Sequence, residues 1–173
     1  AGKNVIFVLM ESMDDWLINE ENTPTLAKMM DEAITFSNMY TPIYGSAATL
    51  NTEFCSYTGL LAPADGNPIV NYTNNFYPYS LPHLFSEEGY SARSFHYNSP
   101  QYYNRQNIHN AVGFQEYVSY LDYEDVDTAA MDATLTENDE IYEKLIQDTP
   151  FFAYVITYSA HCTSGGKNYS HED

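Results

Sequence analysis

Two short stretches of the chain are almost wholly apolar, Asn4–Met10 (NVIFVLM) and Phe151–Thr157 (FFAYVIT). Both have strand length and are rich in β-branched or aromatic residues, which predicts buried parallel strands. Tyr90–His96 predicts another strand, Ile34–Met39 a short one and Gly113–Val118 a less regular one. Helical spacing fills the intervals. Leu26, Met29, Met30 and Ala33 repeat on one face after Thr23-Pro24-Thr25, with proline in the first turn. Thr49–Tyr57, Ser80–Glu88 (closed by Gly89) and Gln101–Asn110 predict further helices. Thr136 and Asp139 predict a capping arrangement for a helix through Ile141, Leu145 and Ile146 that ends before Pro150. Tyr40–Ala48 and Ala62–Pro78 read as loops, the second long enough to suggest function, and Tyr120–Asp139 as an acidic solvated excursion.

Strands alternating with helices predict an α/β fold with a mostly parallel central sheet flanked by helices. Ligands of such sheets bind at the carboxyl ends of the strands. That rule selects Glu11 and Ser12 after the first strand, His96 and Asn98 after the third, and His161 after the last. Glu11 is either a helix-capping carboxylate or a metal ligand. Thr49, in GSAATLNTEF, is either an ordinary N-cap or a hydroxyl activated at a helix N-terminus. Arg105 follows His96 in FHYNSPQYYNR and suits bidentate phosphate binding, whereas Arg93 reads as a structural pair. His83, His109 and His171 have no comparable context.

Composition narrows the chemistry. With 24 acidic and 6 basic residues the net charge is −18, which argues against a nucleic-acid surface and against simple docking to anionic head groups. A phosphate substrate would need a local cation to reverse that field, and a metal ion is the economical choice. The two cysteines, Cys55 and Cys162, lack metal-ligand spacing. No apolar run is long enough for a membrane span, so an anchor would lie outside these residues.

Taken together, KNVIFVLMES (Lys3–Ser12), TPTLAKM (Thr23–Met29), GSAATLNTEF (Gly45–Phe54), GYSARSFHYNSPQYYNR (Gly89–Arg105), GF (Gly113–Phe114) and PFFAYVITYSAH (Pro150–His161) resemble the catalytic domain of lipoteichoic acid synthases and related phosphoglycerol transferases. These belong to the sulfatase-like branch of the alkaline phosphatase superfamily, and the resemblance extends over nearly the whole chain. It implies Glu11 as metal ligand, Thr49 as nucleophile and second ligand, and Arg105 and His161 as substrate contacts. His96, Asn98 and Tyr103 join them in the substrate site, Tyr103 where better-known members carry Trp and Asn98 where some carry Asp. The implied cofactor is a divalent metal, Mn²⁺ ahead of Mg²⁺ or Zn²⁺. The implied partners are an anionic glycerophospholipid and a polymer acceptor at the extracellular face of a bacterial membrane. The family completes its metal site with a later Asp-His pair, which this chain lacks, so the chain is expected to be the N-terminal part of a larger catalytic domain. A sulfatase or phosphatase on the same scaffold is an alternative, although Gly45–Phe54 has no CxPxR-type motif. A metal-free module binding cell-wall polymer is another. Cys55 follows Thr49 closely and Cys162 adjoins His161, so a disulfide between them is an expectation.

Overall fold

The two most apolar runs lie side by side. In the computed structural model, which describes residues 2–41, 48–63, 71–146 and 150–161, strand β1 (Val5–Leu9) pairs in parallel with β4 (Phe151–Ile156). Strand β2 (Ser91–His96) lies along the other edge of β4 and pairs outward with β3 (Glu116–Ser119). The sheet is therefore wholly parallel in the order β1-β4-β2-β3, as the alternating pattern predicts. Central β4 is buried at all six residues, which is why its sequence is apolar on both faces.

The pleat of β4 divides the core in two. Phe152, Tyr154 and Ile156 meet Leu50, Phe54 and Tyr57 of α2 (Ala48–Thr58) and Ile108 and Val112 from α4 (Arg105–Ala111) and its end. Phe151, Ala153 and Val155 meet Ile141 and Leu145 of α6 (Asp139–Ile146) on the opposite face. Helix α3 (Leu81–Glu87) adds Leu81 and Phe85 to the first face, with Phe85 stacked on Phe152 at 4.6 Å. Helices on both faces of a parallel sheet bury both rows of side chains, and that places the strand ends together at one rim.

Several local expectations change. Strand β1 is not fully buried: Ile6 and Val8 are 53% and 47% exposed. Val5, Phe7 and Leu9 pack inward, while no described element covers the alternate row of this strand. Ile34–Met39 forms no strand. It leaves α1 (Pro24–Glu32) as an irregular segment with Ile34, Phe36 and Met39 exposed, because no neighbouring edge among the described residues accepts its backbone. The helix expected over Gln101–Asn110 is broken by left-handed Tyr103 (φ 57°) and Asn104 (φ 53°), and α4 starts only after them. The acidic excursion is not all solvated: Tyr120 and Thr134 are buried, and α5 (Thr134–Glu137) lies within it. The cap of α6 is Asn138, whose Oδ1 accepts the Ile141 N–H at 3.1 Å, whereas the Thr136 hydroxyl donates to Ala133 O. Cys162 lies outside the described residues, and Cys55 is half-buried. No helix among the described residues is long and apolar enough to cross a membrane.

Candidate active site

The ends of β1 and β4 are tied to each other before any functional side chain is placed. Thr157 N–H donates to Leu9 O at 3.0 Å, and Glu11 N–H donates to Thr157 Oγ1 at 2.8 Å. Ser12 then takes φ 52°, a left-handed turn that redirects the chain immediately after Glu11. Helix α2 brings its second residue to the same point. The Thr49 hydroxyl donates to Glu11 Oε2 at 2.9 Å and lies 3.3 Å from Oε1. The structure thus joins Glu11 and Thr49, which lie 38 residues apart in the chain. The hydroxyl is engaged by a carboxylate at the strand ends rather than by the first backbone N–H groups of its helix, as a side-chain cap would be.

One turn further along α2 is Glu53, fully buried beneath Thr49 on the same helix face. Arg105, 1% exposed, meets it from the start of α4: Nε lies 3.2 and 3.1 Å from the two carboxylate oxygens and Nη2 2.8 Å from Oε1. His109, one turn after Arg105, approaches the other side of the carboxylate, with Nε2 3.1 Å from Oε2 and Nδ1 2.7 Å from Ser94 Oγ. Burial by itself raises the carboxyl pKa of Glu53, but Arg105 and His109 outweigh it and hold the group at about 2. Burial lowers the His109 pKa against the pull of Glu53. A neutral imidazole beside an ionised carboxylate must donate from Nε2, so Nδ1 accepts the Ser94 hydroxyl. The Arg105 Nη1 atom is buried and has no hydrogen-bond partner.

The remaining candidates line the rim. His96 ends β2, is 3% exposed, and its Nδ1 lies 2.8 Å from the Ile156 carbonyl. That carbonyl can only accept, so Nδ1 carries the proton and Nε2 keeps its lone pair. Burial, reinforced by the Arg105 charge, lowers the His96 pKa to about 4. Tyr158 packs edge-on against His96 at 5.8 Å and stacks on His161 at 5.4 Å, so the two histidines flank one tyrosine. The segment carrying them is pinned by Asp132, whose carboxylate accepts the N–H groups of Tyr158 and Ser159 at 2.8 and 2.7 Å. Tyr103 sits under the Arg105 guanidinium, 5.5 Å from ring centroid to carbon, and the nearby charge of Glu11 acts on its phenol. Asn98 is held by its own neighbours. Its Oδ1 accepts the Ser99 N–H at 2.7 Å and its carbonyl accepts from Tyr117, and no described contact ties it to Glu11 or Thr49.

Sequence reasoning missed Glu53, His109 and Ser94. A signal existed for Glu53: it is the one charged residue in TLNTEFCSYTGLL, four residues after Thr49, where an α2 face must be buried. His109 gave no signal, because only packing against Glu53 distinguishes it from any other helical histidine.

The sulfatase family model matches residues 3–173. The chain belongs to the sulfatase family. Among curated relatives it is 29% identical over 177 residues to lipoteichoic acid synthase 2 of Bacillus subtilis, and the match covers 95% of this chain and 27% of that protein. The lipoteichoic acid synthase of Staphylococcus aureus is 25% identical, with 92% of this chain and 26% of that protein covered. Among solved structures, the lipoteichoic acid synthase LtaP of Listeria monocytogenes superposes with a TM-score of 0.71 at 24% identity, covering 92% of this chain and 41% of that one. An alkaline phosphatase superfamily protein of Vibrio parahaemolyticus gives 0.69 at 22% identity over 99% of this chain and 44% of its own. The sulfatase chain described here therefore spans about a quarter of the curated relatives' length. Enzymes of the sulfatase family generally use divalent metals. The oxygens of Glu11 and Thr49 fit such a role, being hard donors that already converge. Among the described residues no group of three or more His, Cys, Asp or Glu gathers around a metal position, so these two would form part of a ligand set.

Proposed function

We propose that this chain is the nucleophile-bearing, N-terminal part of a phosphoglycerol transferase catalytic domain. It would act on a phosphatidylglycerol-like lipid at the extracellular face of a bacterial membrane, in lipoteichoic acid or related polymer synthesis. The observation that carries this reading is the 2.9 Å hydrogen bond from Thr49 to Glu11 at the carboxyl rim of a parallel sheet. The similarity to lipoteichoic acid synthases supports the substrate class.

Thr49 is the nucleophile. Its Oγ1 forms a bond to phosphorus, the bond from phosphorus to the diacylglycerol oxygen breaks, and the hydroxyl proton leaves with the diacylglycerol. The result is a glycerophosphoryl-threonine; a hydroxyl at the polymer end then bonds to phosphorus, the bond from phosphorus to Thr49 Oγ1 breaks, and the acceptor's proton returns to Oγ1. Glu11 accepts the hydroxyl hydrogen bond and so aims the Oγ1 lone pairs before attack. A divalent cation held by Glu11, Thr49 and ligands from further along the native polypeptide, Mn²⁺ in preference to Mg²⁺ or Zn²⁺, would lower the hydroxyl pKa and offset phosphodiester charge. Arg105 and His161 orient the phosphoglycerol, Tyr103 and His96 wall the pocket, and Asn98 stands at its edge. A chain of net charge −18 needs a local cation such as this metal to admit an anionic substrate.

The test is release of diacylglycerol from labelled phosphatidylglycerol by the native protein and by Thr49→Ala. Release should fall by three or more orders of magnitude in the variant. Equal release by both would refute the nucleophile assignment.

A further inference from the structure

Arg105 does not reach its position alone. Its guanidinium is buried in a protein with six basic residues, and two of its three nitrogens, Nε and Nη2, are held by one carboxylate. That carboxylate is held in turn. Oε1 takes both Nε and Nη2 of Arg105, while Oε2 takes Nε and the His109 Nε2–H, and the other ring nitrogen of His109 is held by the Ser94 hydroxyl from β2. Three elements, α2, α4 and β2, therefore lock the plane of the guanidinium. What this leaves is Nη1, buried and without an acceptor. A buried unsatisfied donor is costly, more so on a charged group, and natural structures rarely keep one without a use. Tyr117 lies close enough to the guanidinium for its oxygen to interact with it, and it donates its own hydroxyl to Asn98 O at 3.2 Å, but no acceptor lies at hydrogen-bond geometry to Nη1.

We propose that Glu53, braced by His109 and Ser94, is a positioning residue that holds Arg105 with Nη1 reserved for a phosphoryl oxygen of the substrate. This rests on the reading of Arg105 as a phosphoglycerol contact. Ionised Glu53 also largely neutralises the guanidinium, so Arg105 offers a directed hydrogen bond in preference to a loose charge. Since Glu53 and Thr49 are one turn apart on α2, the same helix fixes the attacking oxygen and, through Arg105, the group it attacks.

Titration of the native protein with glycerol phosphate, followed by calorimetry, tests this without relying on turnover. Glu53→Gln keeps the shape but places an amide N–H₂ against a guanidinium donor, so Arg105 must turn. The dissociation constant should rise at least tenfold, as in Arg105→Ala, and the double variant should bind no more weakly than Arg105→Ala alone. Thermal unfolding confirms that each variant is folded. If Glu53→Gln does not fold, Glu53→Asp carries the test, because the shortened carboxylate drags the guanidinium and should weaken binding several-fold. Wild-type affinity in a folded Glu53 variant, or losses that multiply in the double variant, would overturn the proposal. Failure of the phosphoglycerol reading looks different: wild type then binds no glycerol phosphate and Arg105→Ala changes nothing, which overturns both.

Discussion

Truncating Glu53 to alanine strands a guanidinium that is 1% exposed, and the cost follows from what is left behind. Arg105 loses its contacts at 2.8, 3.1 and 3.2 Å, and the His109 Nε2–H loses its acceptor at 3.1 Å. Breaking a buried pair by removing one partner costs about 3–5 kcal/mol, because the remaining charge cannot reach water. Against a total stability of about 5–15 kcal/mol for a domain, this is a large fraction. The opposite holds when both partners go: replacing a buried pair by apolar groups of similar volume is often neutral or stabilising. Glu53→Met with Arg105→Met should therefore unfold closer to wild type than Glu53→Ala does, although it changes more atoms. Urea unfolding reads this directly. With a slope of about 2 kcal/mol per molar, the Glu53→Ala midpoint should fall by roughly 1.5–2.5 M. A loss below about 1 kcal/mol, or a double variant no more stable than the single one, would refute a buried charge pair as the organiser of this region.

Gly113 takes φ +102°, and a Cβ there would lie 2.3 Å from His83 Nδ1, in a ring held by Val112 O at 2.8 Å and Ser80 Oγ at 3.1 Å. Gly113→Ala should cost about 2–5 kcal/mol from backbone strain and overpacking, or roughly 5–15 °C in Tm, and a change under about 2 °C would contradict it. Stability should fall as pH drops below about 6.5. The folded-state pKa values of His96 (about 4) and His109 lie below the unfolded value, so the unfolded chain binds protons first. A second loss follows between about 4.5 and 2, where Glu53 protonates in the unfolded chain before the folded one. Urea midpoints that stay flat from pH 7.5 to 5 would exclude the histidine contribution. Glu11→Ala should reduce the bound divalent metal of the native protein at least tenfold by elemental analysis, and unchanged metal content would remove Glu11 from the ligand set.

Fold class and rim were legible because both follow from short-range pattern. Asn4–Met10 and Phe151–Thr157 have the length and composition of buried strands, and the strand-end rule then picks out Glu11, His96 and His161 without any partner being known. The failures share one cause. Ile34–Met39 has strand composition, but a strand exists only where an edge receives it, and no described edge does. The composition of Asn4–Met10 predicts a buried strand, yet burial of Ile6 and Val8 depends on what covers β1.

The site divides in the same way. Along the chain, Thr49 is an ambiguous hydroxyl and Glu11 an ambiguous carboxylate. The contact between them exists because β1 and α2 converge across 38 residues. Glu53, Arg105 and His109 go further, since 52 residues separate the first from the second and no local pattern links them. The amino-acid sequence by itself determined where strands and helices begin and which residues stand at strand ends, because those depend on neighbours within a few positions. Only the tertiary structure decided which charges are buried together and which nitrogen of Arg105 is left without a partner. Desolvation and hydrogen-bond geometry are properties of what surrounds a group in space, and distant segments supply those surroundings.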